Sequence, residues 1–199
     1  MKLLLIIDQQ RDFADTNGAL YVGGGELLTP IINGLLKSTD FNFKIATRDW
    51  HPQNHISFAS NHPGKKPFDQ IETTAGCQVL WPDHCVAGTE GASLYKLEEK
   101  YIDAVFNKGI GPGVENYSIF SLADGTQTPF VGFVKSLNPA EIYICGLALD
   151  FCVKFTALDA KKYFSNARIT VIRNATKPVM SDNENTVIKE LEATGIVIK

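Results

Sequence analysis

The chain has 199 residues, 44% of them apolar and 21% charged, with a formal net charge of −3. That length suits one domain with a sizeable core, and the apolar content and small net charge exclude a disordered polymer. The mild acidity argues against nucleic acid or anionic lipid as the main partner, and no apolar run approaches the ~18 residues of a membrane helix.

The first run, Leu3–Ile7, is shorter than the apolar stretch of a signal peptide (about 7–15 residues), and Asp8 ends it. It reads as a buried strand. Leu27–Leu36 then carries apolar residues at helical spacing. Further strands are expected at Phe43–Thr47, Ala104–Asn107, Ile142–Cys145, Ile169–Ile172 and Ile196–Ile198. Further helices are expected at Leu94–Tyr101, Pro129–Leu137, Asp150–Phe164 and Asn183–Ala193. Strands alternating with helices of this length imply an α/β fold, a parallel sheet covered on both faces. Residues 49–92 break the alternation: they are rich in Pro, His, Asn and Gly, and an irregular segment that long in a compact domain is usually functional. The organisation expected is one domain over 1–199 with a loop-rich insertion at about 49–92. The four cysteines, at 77, 85, 145 and 152, are too few and scattered for a disulfide framework, so a reduced, cytoplasmic protein is expected. In that setting the triplets Asn116-Tyr117-Ser118 and Asn174-Ala175-Thr176 carry no glycan.

In open α/β sheets ligands bind beyond the carboxyl ends of the strands. Reactive residues stand there: Asp8 after the first strand, Asp49 and His51 after the second, Lys108 after the third, and Cys152 a short turn after the fourth. Any one of these serves equally as a loop cap, but together they read as a crevice on which Asp8, Lys108 and Cys152 converge. Cys152 closes the run Gly146-Leu147-Ala148-Leu149-Asp150-Phe151-Cys152 from strand into helix. There the helix dipole and a nearby ammonium favour the thiolate, lowering a cysteine pKa to about 3.5–7.5, and free backbone N–H groups can stabilise an oxyanion. Cys145, inside the strand, reads as a small buried apolar residue.

Asp49-Trp50-His51, with His84 downstream, offers one carboxylate and two imidazoles, the three protein ligands of an open catalytic metal site. Asp-x-His also occurs by chance, and His55 and His62 compete as ligands. Cys77 and Cys85 lack CxxC spacing and read as structural. Gly23-Gly24-Gly25 precedes a helix but lacks the third glycine of the dinucleotide fingerprint, and the Gly109–Gly113 segment carries a proline and no immediate helix, so both glycine clusters read as decoys rather than phosphate-binding loops. Phe13, Trp50 and Trp81 lie near candidate site residues and can wall a flat pocket, although core packing is the default for each.

Five blocks in order carry a more specific signal. They are Leu5-Ile6-Ile7-Asp8-Gln9-Gln10-Arg11-Asp12-Phe13, Thr47-Arg48-Asp49-Trp50-His51-Pro52, the stretch Leu80–Thr89 with its Trp81-Pro82-Asp83-His84-Cys85-Val86 core, Asn107-Lys108-Gly109, and Gly146–Val153. Together they resemble the nicotinamidase/pyrazinamidase branch of the isochorismatase-like cysteine hydrolases, over essentially the whole chain. The resemblance implies a three-layer α/β/α fold with a six-stranded, mostly parallel, Rossmann-like sheet. It implies metal-dependent hydrolysis of nicotinamide to nicotinate and ammonia through a cysteine acyl-enzyme, a step of NAD salvage, with pyrazinamide as a further substrate. Asp8, Lys108 and Cys152 would then form the catalytic triad, and the N–H groups of Ala148 and Cys152 the oxyanion hole, behind a cis peptide before Ala148. Phe13 and Trp81 would sandwich the substrate ring. Asp49, His51 and His84 would hold one divalent ion per chain, zinc first, with iron or manganese as alternatives, making 49–92 a metal-binding insertion.

The implied partner is a small molecule, with neither nucleic acid nor membrane involved and self-association open. The sequence departs from the pattern at Ser57, where some relatives carry a fourth, histidine ligand, so that Ser57 or water would complete the sphere. It departs again at Phe151, where Tyr or His is common, and at Leu149, where Thr is common. The rival reading is another carboxamide or carbamoyl hydrolase of the same superfamily.

Overall fold

The computed structural model describes all 199 residues. In chain order the strands are β1 (Lys2–Ile7), β2 (Phe43–Asp49), β3 (Gln70–Thr73), β4 (Gly76–Val79), β5 (Ala104–Lys108), β6 (Glu141–Leu147), β7 (Arg168–Lys177) and β8 (Val197–Ile198). The helices are α1 (Arg11–Ala14), α2 (Leu28–Lys37), α3 (Pro129–Leu137), α4 (Lys154–Tyr163) and α5 (Glu184–Ala193). Six strands form one wholly parallel sheet in the order β5-β2-β1-β6-β7-β8, while β3 and β4 make a separate antiparallel hairpin.

The unbroken apolar run of β1 follows from its central position. Leu3, Leu5 and Ile7 pack on one side with α3, α4 and α5, and Leu4 and Ile6 on the other with α2. A strand buried on both faces cannot alternate polar and apolar residues, and each such side chain contributes about 1.5–3 kcal/mol by leaving water. In α2, Leu28, Ile32 and Leu36 recur every four residues and are all buried. Pro129 opens α3, and Asn138 ends it in the left-handed conformation.

Two sequence expectations are corrected. Leu94–Tyr101 is not a helix beyond a single 3₁₀ turn at Glu99–Tyr101. Leu94 instead bridges Gln10 and the Tyr95 N–H bonds to the Gln9 carbonyl, so the segment is tied to the loop after β1 and bends at Lys96 (φ +52°), with Tyr95 and Leu97 buried and Lys96 exposed between them. Tertiary hydrogen bonding overrides the helical spacing. Within residues 49–92 the irregularity is partial, since the β3–β4 hairpin and short 3₁₀ turns interrupt it.

The strand order reverses at β1. The chain passes from β1 through α2 to β2 on one side, and returns from β5 through α3 to β6 on the other. Such a switch point opens a crevice at the carboxyl ends of the two central strands. Gly146 makes the junction possible. It sits in register with Ile7 at φ +104°, and a Cβ there would lie 2.0 Å from the Ile7 carbonyl oxygen.

Candidate active site

Each strand end delivers one functional group. Asp8 follows β1, Asp49 ends β2, Lys108 ends β5, and Cys152 lies in a π-helical turn, Leu149–Val153, between β6 and α4. The helix expected to start at Asp150 therefore begins with a wider turn, a feature found mostly at functional sites. The Leu147–Ala148 peptide is cis, and the Ala148 N–H makes no hydrogen bond within the chain.

Lys108 is the hub. Its Nζ lies 3.0 Å from Asp8 Oδ2, 2.5 Å from Asp49 Oδ1 and 3.4 Å from Cys152 Sγ, and donates to the Asn116 carbonyl at 3.0 Å. Asp8, Asp49 and Cys152 each offer an atom within 4.8 Å of the others'. Asp8 is fully buried, at φ +47°, and its Oδ1 accepts a 2.6 Å hydrogen bond from the Thr47 hydroxyl.

Burial dominates the electrostatics. It pushes the Asp8 carboxyl up to about 6, against the pull of Lys108. It works against the charge of Asp49 as well, but there Lys108 and His51 prevail and hold the carboxyl well below the usual range. Burial also disfavours the Lys108 ammonium, yet Asp49 and Asp8 outweigh it and keep the group charged. Cys152 corrects an expectation. Burial, reinforced by Asp8 and Asp49, outweighs Lys108 and pushes the thiol well above its usual range. The resting group is a buried thiol beside a carboxylate of raised basicity, rather than a free thiolate.

Asp49, His51 and His84 form a buried trio whose ligand atoms lie within 4.8 Å of one another. Each ring is fixed through Nδ1, His51 on the Gly109 carbonyl at 2.9 Å and His84 on the Pro82 carbonyl at 2.7 Å. Both Nε2 atoms are thereby left as ligands, and His51 Nε2 is buried without a hydrogen-bond partner. This carbonyl-anchored imidazole pattern is how proteins prepare histidine for a metal. Burial pushes His84 down to about 4, which keeps it neutral. Burial acts likewise on His51, but Asp49, 3.6 Å away, more than offsets it and favours a positive charge between the two. The residues present thus fit a divalent cation. Gly109, read from sequence as part of a decoy, seats the His51 ring: at φ +62°, a Cβ there would lie 2.3 Å from His51 Cε1.

Phe13, Trp81, Ala148 and Cys152 line one small cavity with Asp49 and His84. His55 is buried with its ring 4.1 Å from that of His51, outside the ligand trio, and its Nδ1 pairs with Ser57 Oγ at 2.7 Å. His62 is tied to the Ile56 carbonyl. All four cysteines are free; Cys85 and Cys145 are buried and Cys77 is exposed on β4.

Several residues of this site escaped the sequence reading. Gln10 is buried and clamps Asp49 from both sides: its Oε1 accepts from the Asp49 N–H at 2.7 Å and its Nε2 donates to the Asp49 carbonyl at 2.8 Å. Asp12 accepts from the Cys85 N–H at 2.7 Å, holding the His84 segment in place. The triplet set aside as an empty glycosylation signal supplies the Asn116 carbonyl to Lys108 and the Tyr117 ring to the cavity. The Tyr117 hydroxyl accepts from Trp81 Nε1 at 3.0 Å and Gln78 Nε2 at 3.1 Å. Glu115, buried beside it, lines the same cavity. The block matches at Gln10 and Asp12 held the only sequence signal for any of these.

The α/β/α fold thus brings a cysteine, a lysine and two aspartates together at its switch point, beside a carboxylate–imidazole trio. The isochorismatase domain model matches residues 2–199, and the chain belongs to that family. The nicotinamidase of Acinetobacter baylyi is 40% identical over 196 residues, covering 97% of this chain and 89% of that protein. The yeast nicotinamidase bound to the inhibitor nicotinaldehyde superposes with TM-score 0.92 at 33% identity, covering 100% of this chain and 99% of that one. The pyrazinamidase of Pyrococcus horikoshii in complex with zinc superposes with TM-score 0.79 at 32% identity, covering 100% and 98%. The expected three-layer, six-stranded fold and the family resemblance are both borne out.

Proposed function

We propose that this chain is a nicotinamidase, hydrolysing nicotinamide to nicotinate and ammonia, with pyrazinamide as a further substrate. The observation that carries the reading is the Lys108 ammonium placed between Asp8 and Cys152 at 3.0 and 3.4 Å, next to the Asp49–His51–His84 trio. Full-length nicotinamidase relatives support it.

Asp8, mostly ionised at neutral pH with a carboxyl near 6, takes the thiol proton as Cys152 Sγ attacks the carboxamide carbon. Lys108 compensates the negative charge as it moves from carboxylate to sulfur. The free Ala148 N–H and the Cys152 N–H stabilise the oxyanion. Protonated Asp8 returns its proton to the departing ammonia. It then deprotonates the water that hydrolyses the thioester, releasing nicotinate and restoring the thiol. Phe13 and Trp81 flank the ring and exclude water. A divalent ion bound by Asp49, His51 and His84, zinc first and iron or manganese next, would anchor the pyridine nitrogen and so orient the carboxamide toward Cys152. Positioning of this kind is worth several kcal/mol.

The same reading makes residues 1–199 one domain in which 49–92 is the metal-binding insertion. It makes the chain a cytoplasmic protein acting on a small molecule, a placement that the four free cysteines support. No helix is long and apolar enough to cross a membrane.

The test is ammonia release from nicotinamide, pyrazinamide and carbamoyl substrates, with and without a chelator. Turnover of the two pyridine-type amides that is lost on chelation and restored by zinc is expected. Turnover of carbamoyl substrates alone would replace this reading by the rival one.

A further inference from the structure

Glu115 is 4% exposed and stands in the cavity wall with Asp49, His84 and Cys152. Its Oε1 accepts a 2.7 Å hydrogen bond from the Asn116 N–H, while its Oε2 has no hydrogen-bond partner and no basic side chain pairs with the carboxylate. The other buried acids are all engaged. Asp8 and Asp49 share Lys108, and Asp150 accepts from the Val179 and Met180 N–H groups at 2.8 and 3.0 Å. Glu115 thus lines the same small cavity as two members of the trio, Asp49 and His84, with one carboxylate oxygen bound to no donor of the chain.

The trio itself is short of negative charge. Two of its ligands are imidazoles, and the third, Asp49, is already bonded to Lys108 at 2.5 Å. A divalent cation there would face an ammonium across one shared carboxylate. We propose that Glu115 is a positioning residue that supplies the second negative charge for this ion, acting from outside the ligand trio. The inference rests on the metal reading given under Proposed function. The competing, purely structural role is the hydrogen bond from the Asn116 N–H, and a glutamine accepts that bond equally well.

The two roles separate in zinc affinity. The full-length protein is stripped by a chelator and titrated with zinc against a chromophoric zinc chelator, with the melting temperature of each metal-free form measured alongside. Glu115→Gln is expected to weaken zinc binding by about 10–100-fold, the range typical for partners outside the ligand shell, without lowering the metal-free melting temperature. Glu115→Asp keeps the charge but retracts it by one methylene, and is expected to fall between wild type and Gln. Should the Gln protein fail to fold, the Asp protein decides: weaker zinc binding than wild type supports the proposal, and equal binding overturns it. A foldable Glu115→Gln protein that binds zinc within twofold of wild type overturns it as well. If Asp49→Ala binds zinc as tightly as wild type, the trio is not the metal site and the proposal falls with that reading.

Discussion

Lys108 lies closer to Asp49, at 2.5 Å, than to Asp8 or to Cys152. One ammonium therefore joins the cysteine centre to the carboxylate of the Asp49–His51–His84 trio. A buried ion pair of this kind is weak as a source of stability but expensive to break on one side.

Replacing Lys108 by Met should make this coupling visible. The substitution leaves Asp8 and Asp49 buried without their cation, and breaking such a pair costs about 3–5 kcal/mol. Turnover should disappear. Because Asp49 is then freed for a metal, added zinc should recover more stability in Lys108→Met than in wild type. Urea denaturation of both proteins, with and without zinc, is the measurement, and equal zinc effects would contradict the coupling.

Cys152→Ala should reduce ammonia release to background while leaving zinc uptake unchanged, since the thiol lies outside the Asp49–His51–His84 trio. Asp8→Asn should also be inactive, for a different reason: it keeps the shape of the proton acceptor and removes its basicity. In the wild type, Asp8 must be ionised to accept the thiol proton, and burial has moved its carboxyl up to about 6. The kcat/KM profile should therefore fall on the acid side near pH 6, well above the range of an ordinary aspartate. An acid limb near pH 4 would remove Asp8 from the role of base.

Gln10→Leu tests the clamp on Asp49. It removes both bonds to the Asp49 backbone and orphans a buried N–H and a buried carbonyl, at about 1–3 kcal/mol for each group. The expected result is a protein that unfolds at lower urea and binds zinc more weakly than wild type. Stability loss with unchanged zinc affinity would show that the clamp does not position the ligand.

Gly109→Ala should act on a second member of the trio, His51. A Cβ placed 2.3 Å from His51 Cε1, at φ +62°, forces the ring or the loop to move. Zinc affinity should fall and the chelator concentration needed for half-inactivation should drop. His62→Ala, whose ring is tied to the Ile56 carbonyl, should leave both unchanged.

Strand-end chemistry was legible in the chain itself because strands of a parallel sheet declare themselves as short apolar runs, and the residues that end them face one edge. Asp8, Asp49, Lys108 and Cys152 could be read that way, and the Asp49, His51 and His84 spacing added a ligand set. Their meeting within a few ångströms follows from the strand order, which places β1 between β2 and β6 and brings residues 100 and 44 positions apart onto one ammonium. The groups that hold the site were not legible. Gln10 and Asp12 act through side-chain hydrogen bonds to distant backbone, and Asn116 through its own carbonyl, and neither leaves a periodic trace. Leu94–Tyr101 carried a helical pattern that pairing with the loop after β1 overrode. The state of Cys152 belonged to the tertiary structure alone. A strand-to-helix turn beside a lysine favours thiolate, but desolvation depends on how completely the surrounding layers close over the sulfur, and at 6% exposure burial outweighs the lysine.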